Sequence, residues 1–135
     1  MDRGPGMDAR EVIETLYDKF AEGDGPGVMA MMAPDISWIE EAGFPYGGTY
    51  IGPDAVAANV LGPLASDWEG FRVQPGTILA EGPRVAALGW YSGRSRATGR
   101  SFRARFTHWF TVEDGTITSF EQVADSVPVH DALKP

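Results

Sequence analysis

The chain has 135 residues, 19 of them acidic and 11 basic for a formal net charge of −8, and it contains no cysteine. That length suits one domain with one core, and the absence of cysteine excludes disulfides and thiolate chemistry. The acidic balance disfavours a nucleic-acid partner, because phosphate binding relies on clustered Lys and Arg, and no apolar run approaches the roughly 20 residues of a membrane span.

At the N-terminus, residues 1–7 show neither a basic region with an apolar stretch behind it nor a small-residue cleavage site. No secretory signal is expected, and cytoplasmic is the expected location. Residues 7–22 form a helix by periodicity. Val12, Ile13, Leu16, Tyr17 and Phe20 share a stripe, Asp8 and Glu11 resemble a capping box, and Gly23 stops the helix. A second short helix runs from Asp24 or Gly25 to Met32, with Pro26 in its first turn and Val28, Met29, Met31 and Met32 as adaptable core filling. Residues 35–41 read as a strand with Trp38 and Glu40 on one face. The glycines and proline of 43–52 then argue for an irregular loop. Pro53 and Asp54 open a third helix that packs Val56, Val60, Leu61 and Leu64 inward, and Gly62-Pro63 should kink or end it.

Strands follow. Residues 71–80 contain Gln74-Pro75-Gly76, where a bulge or bend is expected because proline cannot donate to a ladder. Residues 85–96 place Ala86, Leu88 and Trp90 on one face and Val85, Ala87, Gly89 and Tyr91 on the other. After a turn at 97–100, the segment 101–112 puts Phe102, Ala104, Phe106, His108, Phe110 and Val112 on one side, so its histidine points where every neighbour is apolar. Glu113-Asp114-Gly115 turns into a last strand, 116–124, and the tail 125–135 has room for a helical turn but carries little signal. Helices followed by an antiparallel meander indicate an α+β domain, with three helices on the concave side of a strongly curved, cone-shaped sheet.

A two-residue turn at Asp114-Gly115 would set His108 across from Glu121. A three-residue turn with a glycine bulge would bring Gln122 there instead, and the opposite parity of Ile117 and Phe120 leaves both registers open. Arg84, Arg94, Arg96, Arg100, Arg103 and Arg105 lie in a stretch with no acid between them. They either meet an anionic substrate, a second subunit or another protein, or simply guard an exposed hairpin against aggregation.

The order of helix, Glu-Gly-Asp, short helix, Ala-Pro-Asp-Ile-Ser-Trp strand, Pro-Tyr-Gly-Gly-Thr-Tyr-Ile-Gly-Pro-Asp-Ala-Val and Phe-Thr-Val-Glu-Asp-Gly-Thr-Ile resembles the SnoaL-like branch of the nuclear transport factor two superfamily over about 8–127. The superfamily includes ketosteroid isomerases, scytalone dehydratases and limonene epoxide hydrolases. The resemblance implies a cone-shaped barrel, a pocket between sheet and helices, a homodimer through the convex sheet face, and neither metal nor organic cofactor. By the same resemblance, Glu40 falls at the general-base aspartate of ketosteroid isomerases and His108 at their protonated oxyanion-hole aspartate. Their first-helix tyrosine corresponds to about Thr15. That enzyme is a standard case of tuned carboxyl groups. In SnoaL-like cyclases the acid/base aspartate and pocket histidine look equivalent to Asp125 and His108, and Phe106 stands where they carry a glutamine.

The candidate catalytic residues are therefore His108, Asp125 and Glu40, each weighed against a plain structural role as core histidine, strand-end cap or surface acid. Trp38, Tyr46, Tyr50, Asn59, Trp90, Phe106 and Gln122 are candidate substrate-binding residues, the aromatics offering flat area with polar handles. The leading expectation is an acid/base isomerase or cyclase for a small hydrophobic carbonyl compound. The alternatives are an epoxide hydrolase or dehydratase, and a non-catalytic small-molecule-binding domain. No Cys ligands or His-rich spacing suggest a metal, and Gly47-Gly48 lacks the lysine of a P-loop.

Overall fold

The computed structural model describes residues 7–135, so the reading of the first six residues lies outside it. Helix α1, Ala9–Glu22, starts where the capping box closes: Asp8 Oδ1 accepts from the Glu11 N–H at 2.9 Å, and Glu11 Oε1 accepts from the Asp8 N–H at 3.1 Å. It ends at Gly23, whose φ of 70° is the left-handed cap that glycine adopts without strain. Val12, Ile13, Leu16 and Tyr17 are its buried stripe.

Helix α2, Gly25–Ala30, stops before the expected Met32, which instead begins β1, Met32–Glu40. The reason is tertiary: Met32 pairs with Ile117, and the Ile117 N–H donates to the Met31 carbonyl. The loop expected at 43–52 also holds a strand, β2, Gly48–Ile51, which pairs antiparallel with β1. The third helix neither ends nor breaks at Gly62-Pro63. It runs as α3, Pro53–Val56, through a π-helical turn, Ala57–Leu61, into α4, Gly62–Asp67. The Gly62 N–H reaches back five residues to the Ala57 carbonyl, and this wider turn lets the chain carry proline without a break.

The strands are β3, Trp68–Glu81; β4, Arg84–Ser95; β5, Ser101–Glu113; and β6, Thr116–Ala124. They assemble with the first two in the order β2-β1-β6-β5-β4-β3. The sheet is curved and unclosed. It is antiparallel throughout except where β1 runs parallel to β6, a long-range pairing that meander reasoning does not contain. The β3–β4 ladder shifts register between Pro75 and Thr77, at the expected bulge. The 125–135 tail is a proper helix, α5, Ser126–Leu133, which buries Val129 and Ala132.

The last hairpin joins features of both registers expected for it. Asp114 and Gly115, with φ of 51° and 77°, make a two-residue turn, and Val112 pairs with Ile117. Between Thr111 and Val112 the ladder shifts, so that Thr111 pairs with Ser119 and His108 with Gln122. Thr118 is the extra residue. A bulge reverses parity, which is how Ile117 and Phe120 both come to be buried.

Candidate active site

The inner face of the sheet carries two apolar clusters, one around α1, β1 and Phe110, the other around Trp68, Tyr91, Phe106 and α5. Buried polar side chains gather where the clusters meet. Glu40 of β1, His108 of β5 and Gln122 of β6 are 4%, 4% and 1% exposed. Strand alternation aims each of them inward, and the pairing of His108 with Gln122 and of Gln122 with Glu40 lines them up across three strands.

His108 is fully engaged. Its Nδ1 lies 2.7 Å from the Tyr17 hydroxyl of α1, and its Nε2 lies 2.5 Å from the Tyr91 hydroxyl of β4. Its ring stacks on Phe106 at 4.0 Å between centroids. Burial pushes the imidazole down to about 3, so it is neutral at physiological pH. Gln122 Nε2 donates to the Tyr91 hydroxyl at 3.2 Å, and its Oε1 accepts from the Glu41 N–H at 3.3 Å, which fixes the orientation of the amide.

Glu40 Oε2 accepts from the Trp38 indole N–H at 2.9 Å. Burial raises its carboxyl to about 8, opposed by that hydrogen bond and assisted by the charge of Glu41. Burial likewise raises the Tyr91 phenol, and the Glu40 charge adds to it. Glu40 therefore spends neutral pH as a protonated acid that can ionise within reach of ordinary conditions.

These groups line an inner cavity of about 30 Å³, bounded also by Phe44, Phe110 and Phe120. That volume holds a water molecule or two, far less than the deep pocket expected. Phe20, Leu61, Leu64, Phe71 and Val73 line this cavity and also an outer cleft of about 600 Å³ beside the end of α1, so they form the wall between the two. Leu61 and Leu64 flank the Gly62-Pro63 step.

Of the candidates from the sequence, Glu40, His108, Gln122 and Trp38 line the cavity, and Phe106 supports it by stacking. Asp125 does not reach it. Asp125 is exposed and caps α5, accepting from the Val127 N–H at 3.3 Å, because the strand ends at Ala124. Asn59 faces solvent and donates to the Ala55 carbonyl of its own helix. Trp90 lies on the outer face, with the Arg103 and Arg105 guanidinium groups 3.6 and 4.8 Å from its ring centroid. Tyr46 donates to Asp67 at 2.8 Å and accepts from Trp68 at 3.0 Å, while Tyr50 donates to the Tyr46 carbonyl; both brace the 41–47 loop outside the cavity. The arginine stretch is largely paired within the chain, since Arg94 and Arg96 both approach Glu69, at 3.7 and 3.9 Å.

Sequence reasoning missed Tyr17 as a site residue, and it weighed Tyr91 only as one more aromatic with a polar handle, outside the candidate site. Thr15, the expected first-helix counterpart, contacts Met7 instead, while Tyr17 two residues later points inward. The signal was present: a tyrosine on a buried stripe must find a partner for its hydroxyl, and few buried polar groups were available. Among the described residues no cluster of His, Cys, Asp and Glu could hold a metal ion, and no helix is long and apolar enough to cross a membrane.

Among solved structures, an NTF2-like protein of Burkholderia thailandensis is 35% identical, with a TM-score of 0.92 over 96% of this chain and 99% of that one. An NTF2-like protein of Burkholderia pseudomallei is 27% identical, with a TM-score of 0.86 over 96% of this chain and 100% of that one. TerC, co-crystallised with polyporic acid, is 26% identical, with a TM-score of 0.83 over 94% of this chain and 98% of that one. No curated protein matches the sequence. The SnoaL-like domain family profile matches residues 13–120, and with this fold and these relatives the chain belongs to the SnoaL-like family.

Proposed function

We propose that this protein is an acid/base enzyme that isomerises or cyclises a small hydrophobic carbonyl compound. The observation that carries the reading is a buried carboxyl, Glu40, sharing a largely aromatic and aliphatic cavity with the Tyr91 phenol. Ionised Glu40 takes the proton next to the substrate carbonyl, and Tyr91 donates a hydrogen bond to the oxyanion that forms. The proton returns to another carbon in an isomerisation; in a cyclisation the carbanion attacks a second carbonyl, whose oxygen becomes an alkoxide and takes the proton back from Glu40. His108 has both ring nitrogens committed to tyrosines, so its part is to hold Tyr91 and not to touch the substrate. The wall of Phe20, Leu61, Leu64, Phe71 and Val73 moves aside to admit the substrate from the outer cleft. The co-crystallisation of TerC with polyporic acid is in keeping with a ligand-binding role for this fold. Water addition by a pair of acids is less well supported, because Glu40 is the one carboxylate among the described residues lining the cavity.

The test is exchange of the α-protons of hydrophobic ketones for deuterium in D₂O, followed by NMR. Wild-type protein should catalyse exchange, while Glu40→Gln and Tyr91→Phe should each slow it by about 10²-fold. Exchange by Glu40→Gln at the wild-type rate would overturn the reading.

The proposal includes a homodimer through the outer face of the sheet. Leu79, Trp109 and Val123 are 67%, 49% and 47% exposed. Strand pairing places Leu79, Ala86 and Trp109 in one row and Leu88, Thr107 and Val123 in the next, a contiguous apolar strip suited to a second copy.

A further inference from the structure

The linked hydroxyls of Tyr17 and Tyr91 and the neutral imidazole between them hold three protons but make only two hydrogen bonds with one another. One O–H is therefore always left over, and the histidine tautomer decides which. With the proton on Nδ1, the imidazole donates to Tyr17, Tyr91 donates to Nε2, and the Tyr17 O–H is left without an acceptor. With the proton on Nε2, Tyr17 donates to Nδ1, Nε2–H donates to the Tyr91 oxygen, and the Tyr91 O–H is left over.

The surroundings of the two ends are unequal. Tyr17 is 5% exposed, and among the described residues its hydroxyl has His108 as its one polar partner; its other neighbours at that end include the Phe110 ring, 6.1 Å away. Tyr91 lines the inner cavity together with Glu40, where a carboxylate oxygen or a water molecule can accept. A buried donor left without an acceptor is tolerated less well than an oxygen with one lone pair unfilled. The Gln122 amide, oriented by the Glu41 N–H, already donates to the Tyr91 oxygen and so leaves its hydrogen free to point elsewhere.

We infer that Tyr17 is a positioning residue which holds His108 as the Nε2–H tautomer, so that two donors converge on the Tyr91 oxygen and its O–H is directed into the cavity. Two hydrogen bonds received on oxygen polarise the phenol and make it a stronger donor to a developing oxyanion. Tyr17 does this without touching the substrate. The inference rests on the proposed role of Tyr91, and it gives the tyrosine of the first helix an indirect task, through the imidazole.

The tautomer is readable without any substrate, from long-range ¹H–¹⁵N correlation spectra of the labelled protein. A His130→Gln variant identifies the signal of His108, since the chain has 2 histidines. The expected spectrum has a pyrrole-type Nε2 and an imine-type Nδ1, unchanged from pH 5 to 8, although Tyr17 and Tyr91 bond to the ring and Glu40 lines the same cavity. In Tyr17→Phe the Nδ1–H tautomer becomes populated, so that Nδ1 moves upfield toward the pyrrole-type range and Nε2 downfield toward the imine-type range. An Nδ1–H tautomer or an imidazolium in the wild type would overturn the inference, as would an unmoved Nδ1 in Tyr17→Phe. Failure of Glu40→Gln to slow proton exchange would count against the enzymatic reading alone and leave these spectra unaffected.

Discussion

Glu40 and His108 are both buried and line one cavity, and burial acts on their protons in opposite directions. Glu40 is raised from 4.5 to about 8, so the stability it contributes is complete below pH 4.5 and is lost as the pH rises toward 8. His108 is lowered from 6.5 to about 3, so its contribution is complete above pH 6.5 and is lost as the pH falls toward 3. Between 4.5 and 6.5 the two slopes oppose each other. Thermal melts across pH 3 to 9 should therefore show a plateau in that window with a fall on either side. Glu40→Gln should flatten the melting temperature between pH 6.5 and 8; an alkaline fall as steep as in the wild type would mean that another group titrates there.

Irregularities within the regular elements set the positions of the site residues. The Thr118 bulge in β6 turns Gln122 inward, and the π-helical turn keeps Leu61 and Leu64 on the cavity wall despite Pro63. Gly89 in β4 pairs with Phe106 in β5 and leaves space for its ring. A Cβ there would sit 2.5 Å from Phe106 and 2.4 Å from the Gln74 carbonyl. Phe106 in turn stacks on both His108 and Tyr91. Gly89→Ala should thus cost about 1–3 kcal/mol in denaturant unfolding, and the displaced Phe106 should perturb the His108 resonances. Such elements were only partly legible in the sequence. The bulge at Pro75 announced itself through proline, but the one at Thr118 showed only as a parity conflict between Ile117 and Phe120, and nothing local marks which residue is extra.

At the scale of the molecule, an inner face with a polar centre is backed by an outer face with an apolar strip. The dimer proposed for that strip predicts a concentration-dependent mass near twice the 14.6 kDa of the chain in sedimentation. Trp109→Glu should shift it toward the monomer without changing α-proton exchange, because Trp109 points away from the cavity; an unaltered mass would move the interface elsewhere. Guanidinium stacking on Trp90 and pairing with Glu69 explain much of the arginine stretch within the chain itself.

The sequence by itself determined what depends on near neighbours. Period-two alternation assigned Glu40, His108 and Tyr91 to their faces, the capping box and Gly23 bounded α1, and the motif order named the family. Only the tertiary structure decided which of those residues meet. Tyr17 and His108 are 91 positions apart, and β1 finds β6 in parallel across most of the chain. A side chain's facing direction is set by its own backbone, but its partner is set by how distant segments pack. That is why Asp125, placed in the site by the family resemblance, proved to be a helix cap, while Tyr17, read only as part of the stripe of α1, meets the histidine.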